Sequence, residues 1–200
     1  MPIIPFLSYI FMSAYTPGPN NIMAMSLAST AGFRTGMRFC FGVFFGFLGV
    51  MSLCTAFSAL LFTVIPKIEP VMRYIGAAYI LWLAWKIFTS KPSAGNGQQT
   101  KRGYFLSGII LQFINVKVIL YGITAVSAFI LPYYNSPGWL VFFVLLLSFV
   151  GFSGTFCWVV FGSVFQKLFI NHRKLMNAVM ALLLVYCALS ILLSDITVEG

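Results

Sequence analysis

Six long apolar stretches constrain the fold of this chain more than any other feature of its sequence. Each is about as long as a membrane-spanning helix, which needs about 20 predominantly apolar residues. They lie near residues 4–28, 39–63, 71–89, 104–131, 138–163 and 175–194. Only 8% of the residues are charged, whereas soluble domains carry about a quarter. We therefore predict an all-α polytopic membrane protein of about six transmembrane helices, folded as a single transmembrane domain over residues 1–200.

The positions of the basic residues predict the orientation of these helices. Counting lysines and arginines by alternate loops puts most of them on one side of the membrane. They are Arg34, Arg38, Lys86, Lys91, Lys101, Arg102, Lys167, Arg173 and Lys174, against Lys67 and Arg73 on the other side. The richer side is expected to be cytoplasmic, which places both termini outside. Because these positions hold eleven of the twelve basic residues behind the net charge of +9, we expect no nucleic-acid partner.

A polar linker at about 91–103 divides the chain into halves of about 1–90 and 104–200. Three predicted spans fall in each half, and an odd number inverts the second half relative to the first. A weak internal match runs between the third and sixth spans. It pairs Ala77, Trp82, Ala84, Ile87 and Ser90 with Ala181, Tyr186, Ala188, Ile191 and Ser194 at the same spacing. We predict two inverted three-helix repeats joined by a cytoplasmic linker.

A polar and helix-breaking segment interrupts the first apolar stretch. It consists of Thr16, Pro17, Gly18, Pro19, Asn20 and Asn21. Non-helical backbone at membrane depth is tolerated only where it is buried in protein or lines a cavity. A helix that restarts near Pro19 offers its N-terminus to an anion, and the carbonyls released upstream can accept from an ammonium. We interpret the segment as a substrate site, with a proline kink that merely helps helices pack as the alternative.

Three polar residues, Gln112, Asn115 and Lys117, lie in the middle of the fourth apolar stretch. A lysine near the bilayer centre costs about 2.5 to 3.5 kcal/mol, and either end of the span lies roughly 18 Å away, beyond the reach of the side chain. These residues are therefore predicted to be functional. On a regular helix, Asn115 and Lys117 differ by about 200°. Because Val116 does not break helices, we expect a continuous helix on which the two residues do different jobs, with local unwinding at Val116 as the alternative.

The remaining residues argue against catalysis. The acidic residues Glu69, Asp195 and Glu199 fall in predicted loops or the tail, so a substrate ammonium must be held by carbonyls, by amide side chains or against aromatic faces. The four cysteines lie in apolar stretches without metal-ligand spacing and are expected to act as small hydrophobes. With no metal site, no cofactor and no catalytic set in the sequence, the protein is not expected to be an enzyme.

The two polar segments resemble the signatures of the LysE/RhtB family of amino-acid exporters. That family carries Pro-Gly-Pro-Asn in the first span and Asn-Pro-Lys in the fourth. Here the first reads Pro17-Gly18-Pro19-Asn20, and the second, Asn115-Val116-Lys117, lacks its proline. Stretches 76–86, 111–117 and 181–187 resemble the cysteine and O-acetylserine exporter branch, which also uses Asn-Val-Lys. The resemblance implies efflux of small amino acids across the inner membrane of a bacterium, with the proton gradient as driving force. In that membrane, the orientation predicted from the basic residues makes both termini periplasmic.

Our leading hypothesis places a midplane site between the inverted halves, where Lys117 binds the substrate carboxylate or exchanges protons with it. The expected partners are a small amino acid and the lipid bilayer, and a homo-oligomer is left open. Two alternatives belong to other classes. One is a passive channel for small zwitterions or anions. The other is a non-transporting membrane subunit that binds partner helices through glycine stripes on its second and fifth spans, formed by Gly42, Gly46 and Gly49 and by Gly151, Gly154 and Gly162.

Overall fold

The computed structural model describes residues 1–89, 101–166 and 171–193, and all regular structure within them is helical. We number the α-helices in chain order. They are α1 (Ile3–Tyr15), α2 (Pro19–Ala31), α3 (Phe33–Ala56), α4 (Ser58–Phe88), α5 (Lys101–Ile114), α6 (Val116–Thr124), α7 (Pro137–Val164) and α8 (Arg173–Leu193). A π-helical segment, Ala125–Ile130, continues α6. The all-α prediction is thus confirmed for the described residues.

Two of these helices, α3 and α7, are long and apolar enough to cross a membrane by themselves. The pair α5 and α6 meets the same criteria if it is counted as one broken span, bent by 60°. The described residues therefore supply two spans, or three with the bent pair. The count of six spans stays a prediction.

The fourth span differs from our expectation, because it is not a continuous helix. It breaks at Asn115, whose φ of −78° and ψ of 99° are extended. Our expectation assumed that a helix yields only at a proline or glycine, but asparagine is among the best N-cap residues. A residue that can begin a new helix can also end the old one, so Val116 needs no breaking tendency of its own.

The separation expected between the apolar stretches near 39–63 and 71–89, where Pro66 and Pro70 lie, is also wrong. Helix α3 ends at Ala56, Phe57 has φ −112° and ψ 22°, and α4 runs from Ser58 to Phe88 without interruption. Proline has a backbone φ that suits a helix, although it loses one hydrogen bond and crowds the carbonyl four residues earlier. In a membrane, the backbone hydrogen bonds of the neighbouring residues favour a helix over a turn whose polar groups have no partners. The structure does not describe the side chains of residues 58–70, which include Lys67 and Glu69, or the side chain of Arg73.

Several other predictions fall outside the described residues. They concern Ser90, Lys91 and the rest of the linker up to residue 100, Lys167, Ser194, Asp195 and Glu199.

Glycines bring the central helices into backbone contact, as expected for small residues in membrane proteins. A Cβ added to Gly42 on α3 would overlap the backbone carbonyl of Phe105 on α5. One added to Gly154 on α7 would lie 2.5 Å from the carbonyl oxygen of Ala14 on α1. These close contacts hold α1 and α5, the two helices that end at a break, against the long helices α7 and α3.

A buried core follows from this packing. Its members include Phe6, Ile22, Phe39, Val43, Met51, Leu111 and Leu147. Many large apolar side chains instead face outward, such as Phe45, Trp85, Phe149 and Leu182. Such an exposed apolar surface is what a bilayer requires, and the protein is accordingly a membrane protein.

Candidate functional site

The first break lies between α1 and α2 and follows from its two prolines. The hydrogen-bond ladder of α1 ends at Thr16, whose N–H donates to the carbonyl of Met12 (3.1 Å). It cannot continue, because Pro17 has no N–H. A residue that precedes proline is pushed toward extended backbone. Thr16 (ψ 147°) and Gly18 (ψ 173°) both adopt it. Pro19 then opens α2 at the first helical position, where a missing N–H costs nothing.

The carbonyls at the end of α1, which the sequence offers to a cation, all have donors within the protein. Asn21 Nδ2 donates to the carbonyls of Ala14 and Thr16, each at 2.9 Å. The indole N–H of Trp158 donates to the carbonyl of Tyr15 at 3.1 Å. One of these donors is itself an ammonium, because Lys117 Nζ also lies 3.3 Å from the Thr16 carbonyl oxygen.

The second break is organised by one side chain. Asn115 Oδ1 accepts the backbone N–H of Lys117 (3.1 Å), while its carbonyl accepts from Val118 (2.9 Å) and Ile119 (3.2 Å). Its own N–H still completes α5 by donating to Leu111 (2.9 Å). Asn115 thus ends one helix and caps the next, so few backbone groups are left without a partner.

Three buried amides, which we call the amide cluster, join the two breaks. They are Asn20, Gln112 and Asn115, with 7%, 0% and 3% of their surface exposed. Asn20 Nδ2 donates to Gln112 Oε1 at 2.7 Å, and Asn20 Oδ1 accepts from Gln112 and from Asn115, each at 3.2 Å. A buried polar network whose members are satisfied is rigid and fixes one arrangement. The amide cluster therefore holds the start of α2 against α5 and α6.

Lys117 reaches from α6 to the first break. Its Nζ donates to Thr16 Oγ1 at 2.8 Å as well as to the Thr16 carbonyl. A Cβ on Gly18 would lie 3.2 Å from this nitrogen, so glycine leaves the ammonium its space. Both acceptors are neutral, and no carboxylate within the described residues forms an ion pair with Lys117.

A pocket opens where these elements meet, with about 360 Å³ of empty space including its mouth. It lies beside the middles of α3 and α7, from which Phe47 and Gly151 face it. Its walls come from five helices and the first break. They are Ser13, Ala14, Gly18, Pro19, Asn20, Asn21, Phe47, Asn115, Lys117, Val118, Tyr121, Gly151 and Thr155.

Six of the nine predicted site residues line this pocket, namely Gly18, Pro19, Asn20, Asn21, Asn115 and Lys117. The other three lie behind the wall. Thr16 holds the Lys117 ammonium, Gln112 holds Asn20, and the Pro17 carbonyl lies 3.9 Å from the Cys187 sulfur. The structure thus brings the two polar segments of the sequence to one place, although not every member faces the cavity.

The sequence reasoning missed the wall that α3 and α7 provide. The Phe47 ring rests on Gly151, where an added Cβ would lie 2.7 Å from Cζ, and it meets Tyr121 edge-on at 6.0 Å between centroids. Thr155 on α7 is 1% exposed and donates to Asn21 Oδ1 at 3.2 Å. A threonine within an apolar stretch was the available signal, but nothing in the sequence indicates which helix it faces.

Known proteins resemble this chain over nearly its whole length. Residues 11–195 match the family model described as LysE type translocator. A protein of Escherichia coli (strain UTI89 / UPEC) named cysteine/O-acetylserine efflux protein is 47% identical over 186 residues, which cover 93% of this chain and 95% of the relative. A Shigella flexneri serotype 5b protein of the same name is 46% identical with the same coverage. No solved structure matches the chain.

Proposed function

Because the chain belongs to the LysE type translocator family, and is therefore a transporter and not an enzyme, we propose that it exports small amino acids across the bacterial inner membrane. Cysteine and O-acetylserine are the proposed substrates, in keeping with the names of the relatives. The protein has to recognise a small zwitterion and release it on the other side.

One observation carries the proposal: the Lys117 ammonium lines the pocket, and among the described residues its only acceptors are the neutral oxygens of Thr16. A cation at membrane depth is costly without an anionic partner. The substrate carboxylate supplies that partner when it replaces Thr16 Oγ1 as the acceptor of the Lys117 proton.

The two restarted helices add to the attraction for a carboxylate. Helices α2 and α6 begin at Pro19 and Val116, and residues of both first turns line the pocket. A helix N-terminus carries about half a positive charge and suits anions. The carbonyls at the opposite end of α1 are paired with donors of the protein itself, from Asn21 and Trp158.

The packing supports two inverted halves of three spans each. We propose that α1 with α2, α3 and α4 form the first half, and α5 with α6, α7 and α8 the second. If the two halves are equivalent, each contact between them has a counterpart in which the halves are exchanged. The contact of α3 with α5 corresponds to that of α7 with α1, and the contact of α2 with α8 corresponds to that of α6 with α4. All four contacts are present. Rocking of one half against the other would expose the pocket to alternate sides. In this arrangement both termini are periplasmic.

Lys117 also offers a means of coupling to the proton gradient. Its protonated form attracts the carboxylate, whereas its neutral form does not, so a proton that enters or leaves at Nζ changes the affinity for substrate. We propose that protonation and occupancy of the pocket are linked in this way.

The test uses purified protein in liposomes. An imposed pH gradient should drive accumulation of labelled cysteine and O-acetylserine, and a protonophore should abolish it. Lys117→Met should lower the rate at least about tenfold, because a hydrogen bond to a charged group is lost. The exposed Lys174→Met, at the start of α8, is the matched control and should transport normally.

Three results would contradict the proposal in different ways. Normal transport by Lys117→Met removes the lysine from the site. Flux that only follows the substrate gradient and ignores the protonophore identifies a passive channel. No transport by the purified wild-type protein indicates a subunit that needs partners.

A further inference from the structure

Asn21 is held so that its oxygen, and not its nitrogen, is available to the pocket. The side chain is 4% exposed, and both of its N–H groups are used by the carbonyls of Ala14 and Thr16. These two acceptors fix the orientation of the amide, because only nitrogen can donate to them. Asn21 Oδ1 must therefore face the other way, toward Thr155.

Thr155 has one hydroxyl proton and two acceptors for it. Thr155 Oγ1 lies 3.2 Å from Asn21 Oδ1 and 3.1 Å from the carbonyl oxygen of Gly151. A hydroxyl donates once and accepts twice. When the proton is directed to Gly151, Asn21 Oδ1 and Thr155 Oγ1 are both left as acceptors on the wall of the pocket. A ligand with N–H donors can therefore bind here without leaving a protein group unpaired.

The oxygens of the other pocket amides are committed to bonds that hold the two breaks together. Asn20 Oδ1 already accepts from both Gln112 and Asn115, and Asn115 Oδ1 accepts the backbone N–H of Lys117. Asn21 Oδ1, in contrast, accepts only from the Thr155 hydroxyl, which can donate to the Gly151 carbonyl instead. Of the amides that line the pocket, Asn21 can therefore offer its oxygen to a ligand.

We infer that Asn21 Oδ1 and Thr155 Oγ1 form the subsite for the substrate's α-ammonium. The inference rests on the proposed function, in which Lys117 holds the carboxylate. The two subsites are neighbours, since Lys117 Nζ and Asn21 Nδ2 donate to the same Thr16 carbonyl oxygen. An α-amino acid carries its two charged groups on one carbon, so adjacent subsites match its geometry.

Neutral acceptors suit an exporter better than a carboxylate would at this position. A carboxylate beside Lys117 would form an ion pair with it and compete with the substrate. Transport also requires binding that is weak enough to release the substrate. Amide and hydroxyl oxygens meet both conditions.

Isosteric substitutions of Thr155 test this inference. Thr155→Val keeps the shape and removes the hydroxyl, while Thr155→Ser keeps the hydroxyl and serves as the matched control. In liposomes, competition against labelled cysteine is measured for unlabelled cysteine and for 3-mercaptopropionate, which has the thiol and the carboxylate but no amine. Ligand-induced thermal stabilisation of the detergent-solubilised protein gives the same comparison without transport.

Thr155→Val should weaken the apparent affinity for cysteine about tenfold or more and leave that for 3-mercaptopropionate within about twofold. Thr155→Ser should resemble the wild type for both ligands. An equal loss for both ligands in Thr155→Val, or no loss for either, overturns the subsite. Failure of the proposed function is distinguishable, because then the wild-type protein itself neither transports nor binds cysteine.

Discussion

The two breaks in the membrane helices reach the same result by different means. Between α1 and α2, the prolines at 17 and 19 prevent a continuous hydrogen-bond ladder, and distant side chains such as Asn21 and Trp158 cover the released carbonyls. Between α5 and α6, Asn115 alone breaks the helix and caps the next one. The first break is imposed by two closely spaced prolines, which cannot donate the hydrogen bonds of a continuous helix. The second is selected by a side chain that makes the break favourable.

The difference predicts how each break responds to substitution. A break imposed by two prolines tolerates changes to the capping groups, since their missing N–H groups interrupt the hydrogen-bond ladder whatever caps it. A break that depends on one cap is lost or strained when the cap is removed. The amide cluster couples the two, so a change at Asn115 is also felt at Asn20.

The largest effect is expected when a proline is introduced into α6, and it depends on the position chosen. Val118 donates its N–H to the Asn115 carbonyl, so Val118→Pro should lower the free energy of unfolding by about 3 kcal/mol or more. Val116 occupies the first position of α6, where proline is favoured, and Asn115 already has the extended backbone that precedes proline. Val116→Pro should therefore change stability by less than about 1 kcal/mol and preserve transport.

The stability of both variants is measured by thermal unfolding in detergent, and their activity by cysteine transport in liposomes. Equal losses for Val116→Pro and Val118→Pro would mean that α6 does not begin at Val116. The second break would then not have the form described.

A smaller difference is expected between the residues that begin α2 and α6. Asn115→Ala removes the cap of α6, worth about 1 kcal/mol, and a buried donor to Asn20, worth about another 1 kcal/mol. Pro19→Ala changes a first-turn residue whose N–H is not needed, and Pro17 still terminates α1, so it should cost only a few tenths of a kcal/mol. A midpoint of thermal unfolding that falls as far in Pro19→Ala as in Asn115→Ala would contradict the distinction between the two breaks.

The sequence predicts the parts of this molecule that follow from local rules. The break at Pro17 and Pro19 follows from missing N–H groups, and the importance of Lys117 from the cost of burying a charge. The break at Asn115 was not predicted, because the position of its side chain depends on a contact between distant parts of the chain. Asn115 Nδ2 donates to Asn20 Oδ1, 95 positions away.

The rest of the pocket was missed for a similar reason. Phe47, Gly151 and Thr155 lie on α3 and α7, and their side chains reach the site only through the packing of helices distant in sequence. Their residue types are also common in ordinary membrane helices. Conversely, Pro66 and Pro70 were given too much weight, because proline is compatible with a helix that the membrane favours.

The central claim is that the two breaks form one site in which Lys117 holds the substrate carboxylate. An experimental structure of the wild-type protein with bound cysteine tests it most directly. The account predicts a carboxylate oxygen about 3 Å from Lys117 Nζ, in place of Thr16 Oγ1, and the ammonium beside Asn21 and Thr155. Cysteine bound elsewhere, or bound in the pocket with its carboxylate away from Lys117, would contradict it.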